Sequence, residues 1–235
     1  MTSQRLRIRF SKTGDLRLTG HLDLSRAWER LFRRVGVSLA MSGGFHPRPR
    51  IHFPSALPMG EAGSDEVVDV EVNSLQGAWS TTTDLPAPIA NETDEGASVD
   101  TSDSPLVSLL AALRRTAPTG LTPTRLERLP ADAPSPMAQE VEYEFPLPRE
   151  RQSEVSQRVE QLLAAATFMV ERRDKPAIDR RDFLLGAAVE GDQLRFRLRV
   201  AREGSLRARD VLSALDLTEL QETGSYATRT SVRLT

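Results

Sequence analysis

The 235-residue chain carries 31 Lys and Arg against 33 Asp and Glu, a formal net charge of −2, and 39% of its residues are hydrophobic. It has no cysteine, which excludes disulfides, a thiolate zinc site, a thiol nucleophile and a cysteine-held iron–sulfur cluster on this chain. No apolar run approaches the ~20 residues of a membrane helix, and the opening MTSQRLRIRF alternates instead of forming an apolar signal stretch, so a soluble cytoplasmic protein with no membrane partner is expected.

The near-neutral total hides a segregation of charge. Residues 1–53 hold eleven Lys and Arg and three acids, whereas residues 54–104 hold eleven acids and no Lys or Arg. One reading gives the first segment an anionic partner. The other lets the acidic stretch neutralise the basic one in space.

Gln-Arg-Leu-Arg-Ile-Arg-Phe at 4–10 alternates with period two, a half-buried strand with Leu6, Ile8 and Phe10 inward and Arg5, Arg7 and Arg9 outward. A turn at 11–15 follows. Leu24, Ala27, Trp28, Leu31, Phe32 and Val35 have helical spacing and predict a helix over 21–35. Thr19 is a candidate cap for it, Asp23 suits its first turn and Gly36 ends it. Arg26, Arg30, Arg33 and Arg34 form a basic stripe on the opposite face, where Glu29 and Arg33 have the spacing of an ordinary i,i+4 ion pair.

The next stretch, SGGFHPRPRIHFP at 42–54, is neither helix nor central strand, because proline removes backbone donors and fixes φ. It sets Phe45, His46, Arg48 and Arg50 on a stiff loop hinged by two glycines and leads into a short strand at 50–53. A strand at 66–72 follows. Residues 73–103 are rich in Ser, Thr, Asp, Gly and Pro and read as a disordered acidic insertion. A helix over 104–116 and a strand over 121–129 complete a β-α-β-β-α-β order.

Residues 131–138 read as a linker, and a similar order recurs: strand 140–147, helix 149–165, strands at 168–172, 178–185 and 194–200, helix 206–215 and strand 226–234. The predicted fold is α+β, with tandem ferredoxin-like (split βαβ) domains over 1–130 and 139–235, each an antiparallel sheet covered by two helices. That plan hosts many functions and selects none.

All three histidines, His21, His46 and His52, lie in the basic segment. His21, Asp23 and His46 offer a divalent-metal reading without a tight ligand spacing. His21 and His46, with Lys12 or Arg48 as charge stabiliser, offer a metal-independent endoribonuclease reading. Each histidine alone also fits a structural role. The basic face has a sharper use: Arg26 and Arg30 share one helix face, Arg48 and Arg50 sit on the loop, and Phe45 and His46 are placed to stack on bases. Guanidiniums on phosphates with interleaved aromatics are how single-stranded RNA is held. No P-loop, dinucleotide-binding or nucleophile-elbow motif is present.

Taken together, RIRFSKTGDLRLTGHLDLSRAWERLFRRVGVSLAMSGGFHPRPRIHF resembles the radical SAM-linked proteins, a domain of unknown function. Lys12, Gly14, His21, Asp23, Arg26, Glu29, Arg30, Arg33, Arg34, Ser42, Gly44, Phe45, Pro47 and Pro49 carry the match. ALPMG at 56–60 and DEVVDVEV at 65–72 continue it. AIDRRDFL, DVLSAL and TRTSVRL resemble a weaker C-terminal signature. The likeness spans nearly the whole chain except 73–103. It implies a partner, since family members are encoded beside, or fused to, a cobalamin-binding radical SAM protein. A chain without cysteine then leaves the cluster to another polypeptide.

The resulting expectation is a non-catalytic accessory or substrate-presenting subunit, with no cofactor of its own. It binds RNA or another anion through Lys12, His21, Asp23, Arg26, Arg30, Phe45, His46, Arg48 and Arg50. A ribonuclease and a protein-docking scaffold are the alternatives. Whether the two ends of the first helix share a pocket depends on whether the Pro-Arg loop folds back along the sheet.

Overall fold

The computed structural model describes residues 3–73, 75, 104–172, 175–201 and 204–235. The acidic insertion expected over 73–103 lies outside these residues apart from Asn73 and Leu75. The fold is mixed α+β with mostly antiparallel strand pairing. The chain divides into two compact units, Met1–Gly60 with Asp65–Ser135, and Glu61–Ser64 with Pro136–Thr235. Residues 61–64, taken from inside the predicted first domain, thus belong with the second unit. There Ala62 and Gly63 pair in parallel with Thr228 and Arg229, and the Ala62 N–H donates to the Ala227 carbonyl.

The first unit contains β1 (Gln4–Lys12), α1 (His21–Arg34), β2 (Ile51–His52), most of β3 (Ala62–Val72), α2 (Ser104–Thr116) and β4 (Leu121–Leu129). Its strands lie in the order β4-β1-β3-β2, with β1–β4 and β2–β3 antiparallel. The inward residues of β1, Leu6, Ile8 and Phe10, are fully buried together with Trp28 and Phe32 of α1 and Leu109 and Leu113 of α2. Phe10 meets Trp28 edge-on at 5.1 Å. Burying each such large side chain contributes about 1.5–3 kcal/mol.

A short 3-10 turn, Gly14–Leu18, occupies the segment before α1. Thr19 does not cap the helix. Gly20 is the N-cap residue, and the Thr19 hydroxyl instead donates to the Leu16 carbonyl at 2.7 Å. The turn competes for that hydroxyl and wins because its carbonyl is local. Gly36 ends α1 at φ +74°, a backbone that favours glycine.

The second unit contains β5 (Ala138–Pro146), α3 (Gln152–Ala164), β6 (Met169–Arg172), β7 (Lys175–Asp179), β8 (Leu184–Glu190), β9 (Gln193–Ala201), β10 (Gly204–Ser205), α4 (Ala208–Ala214), α5 (Thr218–Glu222) and β11 (Thr228–Leu234). Its strands follow β11-β5-β9-β8, every neighbouring pair antiparallel. β6 and β7 form a separate hairpin.

The strand expected over 178–185 is broken in two. Asp179 closes β7 by accepting the Phe168 and Arg181 N–H groups at 2.8 and 2.9 Å. The Arg181 guanidinium donates to the carbonyls of Leu163, Ala165 and Leu184 and holds the chain in a turn between the strands. The helix expected over 206–215 is α4, and a second short helix that was not expected, α5, follows it after Asp216 at φ +59°.

Candidate nucleic-acid interface

The Pro-Arg segment folds as a hairpin standing beyond the C-terminal end of α1. Met41 bridges Pro49, the Ser42 N–H donates to the Arg48 carbonyl at 2.8 Å, and the Arg50 N–H donates to the Ala40 carbonyl at 2.9 Å. The Ser42 hydroxyl accepts the Arg48 N–H at 3.0 Å. The turn passes through Gly44 at φ +103°, where other residues are strained. Two prolines stiffen the returning arm. At the tip, Phe45 is 103% exposed. Arg48 and His46 are exposed beside it in sequence.

After the hairpin the chain runs back along the sheet. Ile51 and His52 pair with Val70 and Asp69, and the Phe53 ring meets His21 edge-on at 4.9 Å. His21 is therefore held at the first turn of α1 by the end of the same segment whose tip carries His46. Among the described residues, no ring contact or hydrogen bond joins the two histidines. The fourteen residues of α1 separate its ends by about 21 Å. No group of three His, Asp or Glu side chains among the described residues is placed to hold a metal. His21, Asp23 and His46 are thus not gathered, and neither is a two-histidine acid–base pair.

The remaining candidates separate by partner. Lys12 is only 1% exposed and donates to the carbonyls of Thr19 at 2.9 Å and Arg17 at 3.4 Å, so it shapes the turn before α1. Arg26 pairs with Asp23 at 3.3 Å across solvent. Arg50 pairs with Glu71 at 2.9 Å. Arg30 and Arg48 are exposed and have no carboxylate within 4.0 Å among the described residues, and the same is true of Arg33 and Arg34. The expected Glu29–Arg33 ion pair is not formed. Both residues instead line a groove of about 370 Å³ between α1 and the hairpin base, together with Val37, Leu39, Met41 and Pro49.

The three cations of β1 behave differently. Arg7 makes a two-pronged contact with Asp69 at 2.8 and 3.1 Å, Arg5 approaches the same carboxylate at 3.8 Å, and Arg9 bonds Asp65. Burial pushes the Asp65 carboxyl above its usual range, against the pull of Arg9. The acids of β3 neutralise the strand arginines, while Arg30, Arg33, Arg34 and Arg48 meet no carboxylate within 4.0 Å among the described residues.

Sequence reasoning placed Arg33 in the stripe but not in the site, and it missed the groove wall at Val37, Leu39 and Met41. The available signal was Gly36: a glycine stop followed by Val-Ser-Leu sends apolar residues back beneath the last turn of the helix. An exposed apolar group at the other end of α1 was also missed. Leu18 is 54%, Leu22 70% and Met59 71% exposed, and the Gly60 N–H bonds the Arg17 carbonyl at 2.9 Å, joining two of these stretches.

These features define a two-unit α+β protein with a projecting aromatic-basic hairpin. The chain belongs to a family described as uncharacterized proteins conserved in bacteria, DUF2344, whose model matches residues 5–85 and 85–209. No curated protein matches the sequence. Two solved structures are similar over the full chain. One is the acetolactate synthase small subunit of Thermotoga maritima, 10% identical, covering 100% of this chain and 97% of that one at a TM-score of 0.27. The other is an unknown protein from Galdieria sulphuraria, 13% identical, covering 100% and 99% at a TM-score of 0.22. Scores of this size define no shared fold. No described helix is long and apolar enough to cross a membrane.

Proposed function

We propose that the first unit binds single-stranded RNA, or a comparable polyanion with flat groups, and that the chain is a non-catalytic accessory to a radical SAM enzyme in the cytoplasm. The observation that carries the binding half is the fully exposed Phe45 on a braced hairpin, with Arg48 three residues on meeting no carboxylate within 4.0 Å among the described residues. An exposed phenylalanine on a mobile loop has little to say. Here two hairpin hydrogen bonds, a bridge and two prolines hold the ring out, so stacking a base on it costs little ordering entropy. Arg30, Arg34 and Arg48 supply phosphate contacts, and His46 is a second ring beside Phe45.

The accessory half rests on the resemblance of residues 7–53 to radical SAM-linked proteins and on the absence of cysteine. An enzyme of that kind has its cluster on another chain. We infer further that both units are split βαβ, ferredoxin-like frames. The strand orders β4-β1-β3-β2 and β11-β5-β9-β8 support that reading, since each sets a later strand between two that a helix connects.

Fluorescence anisotropy with short single-stranded RNA tests the binding half. Affinity is expected to fall with salt by about 0.7 log units per log of salt for each phosphate engaged. Salt-independent binding, or none, refutes it. Anaerobic affinity capture from the native host, with mass spectrometry, tests the other half. A cysteine-rich radical SAM protein in near-equal amount is expected, and its absence refutes the accessory role.

A further inference from the structure

The groove at the hairpin base has the makings of a base-reading site. Its walls are unlike the rest of the basic face. Val37 forms a buried floor, and Leu39, Met41 and Pro49 add apolar surface. Glu29 and Arg33 stand on one wall at i and i+4, the spacing at which opposite charges on a helix usually pair. They do not pair, and neither has another ionic partner among the described residues. A carboxylate acceptor and a guanidinium donor therefore stand at the rim of an apolar slot with no ionic partner among the described residues.

That combination suits a flat heterocycle with both donor and acceptor edges. At about 370 Å³ the groove is near the lower end of ligand sites, so it takes one ring system and not a folded segment. A carboxylate on an otherwise cationic face opposes phosphate binding. Its placement in the groove makes sense if it accepts from an exocyclic amine, as Asp and Glu do from cytosine N4.

We propose that this groove receives one unstacked nucleobase of the RNA strand and that Glu29 selects bases bearing an exocyclic amino group, adenine or cytosine, over uracil. Arg33 donates to a ring or carbonyl acceptor of the same base or to its phosphate. Phe45, at the turn of the hairpin whose base Met41 and Pro49 bring to the groove, stacks on a neighbouring base. The inference rests on the RNA-binding reading and adds which base is preferred and what reads it.

The test compares 8-nucleotide oligo-A, oligo-C and oligo-U by anisotropy over a series of salt concentrations, with the full chain and with Glu29→Ala, which removes the acceptor. Oligo-A and oligo-C are expected to bind about ten-fold more tightly than oligo-U, the scale of one good base contact. In Glu29→Ala the preference should fall to within about two-fold while the salt slope stays that of the parent. Glu29 is exposed, so the variant should fold, and an unchanged melting curve checks that it does. Equal binding of all three oligomers with a normal salt slope overturns base selection and leaves RNA binding standing. A preference that survives Glu29→Ala assigns the reading elsewhere and overturns the role of the groove. No binding of any oligomer overturns both.

Discussion

On the face of the first unit's sheet away from Leu6, Ile8 and Phe10, Arg5, Arg7 and Arg9 lie half-buried against Asp65 and Asp69. On α1 and the hairpin, Arg30, Arg33, Arg34 and Arg48 are exposed and meet no carboxylate within 4.0 Å among the described residues. Both sets come from the same basic stretch of sequence. The difference lies in what the backbone brings alongside. Strand arginines acquire cross-strand neighbours at a fixed short spacing, and β3 is acidic on that face. A helix face and a hairpin tip have no such strand alongside. Guanidiniums of the first set hold the fold, and those of the second meet no carboxylate among the described residues.

Removing the shared acid of the sheet should have the largest effect. Asp69 is 4% exposed and serves two guanidiniums, so Asp69→Ala should cost about 3 kcal/mol in denaturant unfolding, the scale of breaking a buried pair. RNA affinity of the fraction that remains folded should be unchanged. Reversing exposed charges should do the opposite. Arg30→Glu with Arg34→Glu should move unfolding by under about 0.5 kcal/mol and reduce the salt slope of RNA binding by about 1.4, two contacts' worth. Equal loss of stability in both variants would erase the distinction between the faces.

Phe45→Ala sharpens it further. The ring is fully exposed and contributes nothing to the core, so stability should hold within about 0.5 kcal/mol. Stacking of one base is worth about 1–3 kcal/mol, and affinity should fall by about ten-fold. Binding that ignores Phe45 would confine the interface to the arginines.

The smallest effect concerns a carboxylate that serves backbone alone. Two N–H donors hold the Asp179 carboxyl below its usual range. A depressed carboxylate contributes stability that is present above its unfolded value, about 3.9, and is lost as the pH falls through the lower folded value. Asp179→Asn should therefore be slightly less stable than the parent at neutral pH and converge with it in acid, so that the acid limb below about pH 4 is shallower in the variant. An unaltered limb would remove Asp179 from the acid response.

Much of this was legible in the residues themselves. Alternation set the inward faces of β1 and β9, and 3.6-residue spacing set the buried face of α1, because those periods are local properties of the backbone. Gly36 and Gly44 marked the positions that need positive φ. The split of residues 178–185 into two strands was not legible. It depends on Arg181 reaching the carbonyls of Leu163, Ala165 and Leu184, contacts that no local pattern encodes. The fate of each charge was hidden for the same reason. Composition fixed that the first 53 residues are basic and that the chain holds no thiol. Only the tertiary fold decided that β3 would silence one set of arginines, that Lys12 would turn inward, that His21 would meet Phe53 and not His46, and that Glu29 and Arg33 would line a groove without pairing. Ionic partnership depends on distance in space, and distance is set by strand pairing and packing between segments far apart in the chain.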